Sequence, residues 1–281
     1  MHAPLAAPLA APPVRQRSQG NVSLTIGDFG GRSRVRDLSE AGPLRLRFPN
    51  VGDGTLEGIQ VNTAGGVACG DHFETVLDLH PGTAFVLTTT AAEKIYKSDG
   101  PTSTIVNRAT VAAGATLAWL PQETILFDRS RLRRRFEADL AGDAGLLVVE
   151  LVAFGRTAHG ERLNDAMFED VWRIRRDGHL TYADTLRFDG PIEAMLARSA
   201  ICGGARALGT IIDLSPGAES RLDEARALIG EAGQEIEAGA SAWNGHLAIR
   251  LLGPAIGSLR VHVARFLAAY RGTPMPRVWQ T

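Results

Sequence analysis

Three glycines each stand just ahead of an apolar run: Gly82 before Ala84 to Leu87, Gly114 before Leu117 to Leu120, and Gly145 before Leu146 to Val149. The intervals between them are 32 and 31 residues. A period in this range is the mark of stacked structural repeats. Each unit is a turn, a strand of about five residues and a return strand, too small to cover its own apolar face and so obliged to stack on the next. The expected product is mostly β: a layered, solenoid-like, β-helical stack. Acidic residues follow the strands at comparable places, Glu93 after Phe85 to Thr88 and Glu123 after Leu117 to Leu120, with Glu150 inside the third run. The register predicts that they lie near one another across layers.

The flanking segments fit the same picture. Val22 to Ile26, Leu44 to Phe48 and Phe73 to Leu79 alternate apolar and polar residues, the signature of strands with one face buried. Glu57 to Thr63 extends toward a turn at Gly65-Gly66. Val171 to Arg175 and Leu180 to Asp184 flank Asp177-Gly178, the strongest hairpin signal in the chain. Ala205 to Leu214 and Leu247 to Leu251 read as further strands. Helical spacing appears in two places near the C-terminus, Ser220 to Glu237 and Gly257 to Tyr270. Residues 1–20, rich in Ala and Pro, read as a disordered lead-in, and 21–281 as one β-rich domain.

Composition narrows the function classes. Thirty basic and 31 acidic side chains leave a formal charge of −1, which argues against a broad nucleic-acid footprint. Two cysteines, Cys69 and Cys202, are too few for a disulfide framework and point to a reducing compartment, the cytoplasm. No run of some eighteen apolar residues marks a membrane span. No Gly-x-Ser-x-Gly elbow is present, and the Gly65-Gly66 and Gly70 cluster lacks the Gly-Lys-Ser/Thr ending of a phosphate loop. Cys69-x-x-His72 has ligand-like spacing without the second pair of a closed metal site. The basic run Arg131 to Arg135 reads as a solvated surface strand.

Five carboxylates stand apart. Asp71, Glu93, Glu123, Asp128 and Glu161 sit beside Gly, Ala, Pro or aromatic residues, where a charge is costly unless paired, hydrogen-bonded or wet. They are either neutralised by Lys94, Arg131 and Arg156, or they line a hydrated passage through the stack. Glu93, Glu123 or Asp128 as paired carboxylates would also suit a β-rich carbohydrate-active enzyme, and a plain protein-interaction module is a third reading.

The separated motifs Asn62-Thr63-Ala64-Gly65-Gly66 with Gly70-Asp71, Thr89 to Tyr96, Trp119-Leu120-Pro121-Gln122-Glu123 with Phe127-Asp128, Gly155-Arg156 with Gly160-Glu161, and Pro276-Arg277-Val278-Trp279 occur in one order. In that order the chain resembles the urease accessory protein UreD (UreH) family over nearly its whole length. Cys69 departs from it, where a further glycine is usual. The resemblance implies a non-catalytic maturation factor that binds apo-urease and UreF, with the GTPase UreG recruited through UreF and two copies in the assembly. It also implies Ni²⁺ as cargo in transit with no metal held permanently, and favours the passage reading for Asp71, Glu93, Glu123, Asp128 and Glu161.

Overall fold

The structure, a computed structural model, describes residues 17–52, 54–230 and 235–280. The chain alternates between two facing sheets. Its strands in order are β1 (Gln19–Asp28), β2 (Ser33–Ala41), β3 (Leu44–Arg47), β4 (Glu57–Asn62), β5 (His72–Leu79), β6 (Ala84–Thr89), β7 (Glu93–Ile95), β8 (Ser103–Val111), β9 (Thr116–Leu120) and β10 (Thr124–Leu126). They continue with β11 (Arg131–Leu140), β12 (Gly145–Phe154), β13 (Ala166–Arg176), β14 (His179–Gly190), β15 (Ala207–Asp213), β16 (Glu237–Trp243) and β17 (His246–Gly253). Helices α1 (Ile192–Leu196), α2 (Leu222–Gly230) and α3 (Ile256–Arg271) complete it.

The first sheet runs β14-β13-β11-β8-β5-β1-β2 and the second β16-β17-β15-β12-β9-β6-β4-β3. Both are parallel through their middle, where successive coils stack, and antiparallel at their ends. The short strands β7 and β10 form a third side, β10 pairing with both β7 and β12. The layered β stack expected from the repeat is therefore the observed architecture.

Its period is less regular than the glycine spacing. Ala84 pairs with Thr116, 32 residues on, but Thr116 pairs with Gly145 after only 29. Gly82 and Gly114 occupy the first two corners with φ of 71° and 70°, whereas the third corner belongs to Gly142, with φ 54°. Gly145 is instead the first residue of β12, where a Cβ would lie 3.1 Å from the Thr116 methyl. The next coil is longer, Arg131 pairing with Met167, because Thr157–His159 forms a 3-10 turn within its connection.

Between the sheets lies one core, with Leu24, Leu77, Phe85, Phe136, Phe154 and Phe168 fully buried. A second lies on the outer face of the second sheet, under α2, α3 and the C-terminal segment. Both faces of β12 are thus covered, which is why all ten of its residues are buried. Helix α3 contributes Leu259, Val263, Phe266, Leu267 and Tyr270, matching the expected stripe. Tyr270 donates to Asp213 at 2.7 Å, and Trp279 Nε1 donates to the Leu120 carbonyl at 3.1 Å.

Other expectations are corrected. The helix read over Ser220 to Glu237 is α2, ending at Gly230, and 231–234 lie outside the described residues. Ile236 matched the helical period, yet it leads into β16 and packs over Gly253. Residues 1–16 of the expected lead-in also lie outside the described residues, while Gln19 and Gly20 already belong to β1. The Asp177-Gly178 hairpin forms, with φ of 50° and 78°. Among the described residues no helix is long and apolar enough to cross a membrane.

Candidate functional site

A polar seam crosses the inter-sheet core, beginning at the Gly65-Gly66 turn. Gly66 has φ 151°, and a Cβ there would come within 2.7 Å of the Lys94 carbonyl and 2.5 Å of the Tyr96 ring. Glycine is required for this close approach. The turn presents the Gly66 carbonyl to Asn62 Nδ2 at 3.0 Å, and the same amide donates to both oxygens of Glu93 at 3.1 and 3.3 Å. Asn62, Glu93, Lys94, Thr90 and the turn line an open vestibule of about 180 Å³.

Glu93, Gln60 and Thr89 also line a second, smaller chamber of about 60 Å³, walled by Asn107, Trp119, Gln122, Thr124, Arg134 and Glu150. That volume holds about two water molecules. Trp119 Nε1 is buried there beside the Glu150 carboxylate, whose ionised form it favours. Gln122 braces one wall, its amide donating to the carbonyls of Thr89, Thr90 and Val278.

In the chamber wall Arg134 of β11 is held by two acids, Asp170 of the neighbouring strand β13 and Glu150 of β12 in the facing sheet. It donates to Asp170 at 3.0 and 2.7 Å, to Glu150 at 2.5 Å and to Thr124 Oγ1 at 3.0 Å, and all three charged side chains are less than 10% exposed. Burial disfavours the guanidinium's charge, but Asp170 and Glu150 outweigh this and raise its pKa. Burial raises the Glu150 pKa against the pull of Arg134, with Asp170 adding to the rise.

The seam continues through cross-strand neighbours. Glu150 pairs with Thr210, and Thr210 with Arg250. Arg250 contacts Thr210 Oγ1, Asp184 and, at 3.4 Å, the Tyr182 hydroxyl. Polar side chains thus run from the vestibule on the early coils to the last strands of both sheets.

Burial pushes the Glu93 carboxyl up to about 7, although the Asn62 hydrogen bond and the charge of Lys94 favour ionisation. The unfolded chain releases this proton near the ordinary glutamate value of 4.5, so the folded state binds more protons between those values. Glu93's contribution to stability is present below about pH 4.5 and lost as pH rises through about 7. Wild-type protein should lose about 2–3 kcal/mol from this group between pH 4.5 and 8. Urea denaturation across that range should show a flatter profile for Glu93→Gln; parallel profiles would refute the assignment.

The other sequence-selected carboxylates lie in separate settings. Asp71 caps a corner, accepting from Ser18 N at 2.8 Å and Ala68 N at 2.7 Å. Asp128 caps another, accepting from Asn164 N at 2.7 Å. Glu161 joins that corner through Asp128 N at 3.2 Å and grips Arg156 at 2.8 and 3.1 Å. Burial raises its pKa, but the Arg156 hydrogen bond and two backbone donors lower it overall. Glu123 is buried facing Arg260 of α3 at 3.9 Å, while its backbone carbonyl accepts from Glu93 N at 2.9 Å. Glu93 and Glu123 are adjacent in the stack, but their side chains meet different surroundings. Of the expected neutralising cations, Arg156 pairs as anticipated, whereas Arg131 pairs with Asp165 at 3.3 Å.

The basic run is a surface feature only in part, since Arg133 and Arg135 face solvent and Arg134 is the buried ligand of Glu150 and Asp170. The Cys69 thiol donates to Asp99 at 2.7 Å, while His72 is exposed beside Thr104. Among the described residues no group of three or more His, Cys, Asp or Glu side chains is placed to hold a metal ion.

The family model for UreD urease accessory protein matches residues 18–280. The chain is 62% identical to urease accessory protein UreD 3 of Methylorubrum extorquens, over 99% of this chain and 95% of that relative. It is 62% identical to urease accessory protein UreD 1 of Methylobacterium radiotolerans over the whole of both. Its identity to urease accessory protein UreD of Xanthobacter autotrophicus is 53%, covering 95% and 92% of the two chains. With the β stack and the Asn62 to Glu93 motifs assembled at one seam, these similarities establish that the chain belongs to the UreD family of urease accessory proteins and has its role in urease maturation.

Proposed function

We propose that this protein is a non-catalytic scaffold that supports nickel insertion into apo-urease, and that Ni²⁺ moves as cargo along the polar seam. The observation that carries this reading is that the vestibule adjoins, through Gln60, Thr89 and Glu93, a second chamber whose wall includes buried Glu150. Isolated carboxylates, amides and hydroxyls are weak oxygen ligands that let an ion leave, whereas a cage of His and Cys would retain it. Glu93 and Glu150 are the stations nearest the vestibule. Asp71, Asp128 and Glu161 shape the coil corners, and Glu123 anchors α3.

The partners follow from the family: UreF bound directly, UreG through UreF, and the urease apoenzyme, in a cytoplasmic assembly holding two copies of this chain. The carbohydrate-enzyme reading lacks support, because Glu93, Glu123 and Asp128 do not face one another across a cleft. Co-expression with tagged UreF and urease subunits tests the scaffold. All should be recovered together, and failure of the full-length chain to retain either would overturn the proposed role.

A further inference from the structure

The segment Pro276 to Trp279, which ends in a single 3-10 turn, packs against strands far from it along the chain. Trp279 is 5% exposed, and its Nε1 donates to Thr88 Oγ1 at 3.2 Å as well as to the Leu120 carbonyl. Thr88 lies in β6, and Leu120 ends β9. Just beyond them, Thr89 lines both cavities of the seam, Thr90 the vestibule and Gln122 the chamber.

Gln122 joins the segment to that lining. Its backbone N–H donates to Thr89 Oγ1 at 2.9 Å, and its side-chain amide donates to the carbonyls of Thr89 at 3.2 Å, Thr90 at 3.1 Å and Val278 at 2.8 Å. An amide nitrogen carries two hydrogens, so three carbonyls share them, and the shortest contact is the one to Val278. The segment therefore fixes the Gln122 amide, which in turn fixes the Thr89 and Thr90 carbonyls. A second link reaches Glu93, whose N–H donates to the carbonyl of Glu123, the residue after Gln122.

Arg260 of α3 also holds the segment, its Nη2 donating to the carbonyls of Val278 at 3.4 Å and Trp279 at 3.2 Å. Its Nε and Glu123 Oε2 are both buried and make no hydrogen bond, and the two lie 3.9 Å apart. Buried groups of opposite charge in this position stop short of a charge-assisted hydrogen bond. A small movement of Arg260 off the Val278 and Trp279 carbonyls would complete it, which provides a second arrangement in which the segment has been let go. Pro276, Arg277 and Gln280 line a separate cleft of about 290 Å³, so the segment is reachable from outside the seam.

We infer that Pro276 to Trp279 is a strap that holds the partition between vestibule and chamber, with Gln122 as its positioning residue, and that releasing the strap opens one cavity to the other. The inference rests on the transit reading and adds to it the part of the chain that controls the passage.

The test is hydrogen exchange of the tryptophan indoles, followed by NMR on the full-length, metal-free chain labelled with nitrogen-15 at tryptophan. Trp119 Nε1, buried in the chamber wall, reports on the chamber. Trp172 Nε1, bonded to Asp170 at 3.0 Å and lining neither cavity, reports on opening of the whole fold. Trp279→Ala and Gln122→Met should each speed Trp119 exchange at least tenfold and leave Trp172 unchanged. Trp279→Phe, which keeps a ring but loses both indole hydrogen bonds, should fall between Trp279→Ala and wild type.

Unchanged Trp119 exchange in folded Trp279→Ala or Gln122→Met overturns the inference. Equal acceleration of both indoles also overturns it, because the segment would then only support the whole fold. If Trp279→Ala fails to fold, Trp279→Phe provides the readout, and loss of fold in both has the same meaning as equal acceleration. These outcomes are read on this chain without nickel or urease. They are therefore separable from failure of the transit reading, which is judged by urease nickel content.

Discussion

Replacing Arg134 by methionine is expected to destabilise the protein by about 3–5 kcal/mol, the cost of leaving buried Glu150 and Asp170 without their cation. For a domain of this size the loss corresponds to a fall in Tm of roughly 10 °C. Arg133→Met, at the adjacent position of β11 but facing solvent, should change stability by no more than about 0.5 kcal/mol. Denaturant unfolding of the two variants side by side measures the contrast. If they are equally mild, the buried triad has been misplaced.

A triple change of Arg134→Met, Glu150→Gln and Asp170→Asn should recover part of the loss, since neutral groups are less costly to bury than unpaired ions. Arg134 is thus a structural centre of the inter-sheet core, its charge compensated by Asp170 and Glu150.

Much of this was legible in the residues, and what escaped did so for definite reasons. Period-two patterning located β1, β5 and the β13–β14 hairpin because one face of each is apolar. The same rule applied inside the basic run would have placed Arg134 inward, since Leu132 and Phe136 on either side of it are core residues. Treating five consecutive positions as one charge cluster hid that alternation. Glu150 was visible as the lone acid in an apolar run, yet Asp170, its companion on Arg134, lies in the next coil and nothing local announces it.

Strands β2 and β16 were missed because edge strands do not need the apolar face by which strands are recognised. Ser33–Ala41 carries charge on an exposed edge, and Glu237–Trp243 is built largely of small residues. The glycine period found the correct architecture although its third anchor was wrong, because corners and strand starts lie only a few residues apart. Among the five selected carboxylates, sequence context separated guarded acids from solvated ones. It could not separate a chamber-lining Glu93 from corner-capping Asp71 and Asp128, since that depends on which side of the coil each faces.

The Glu93→Gln variant bears most directly on passage of the ion. Glutamine keeps the shape of Glu93 and can still bond with Asn62, but it removes the carboxylate at the junction of vestibule and chamber. The measurement is the nickel content of urease matured with this variant, alongside proof that the complex with UreF and urease still assembles. Nickel delivered in a fixed time should fall roughly tenfold, the scale on which altered metal-site partners act, while assembly is unchanged. Wild-type nickel content in urease matured by an intact Glu93→Gln complex would contradict passage along this seam.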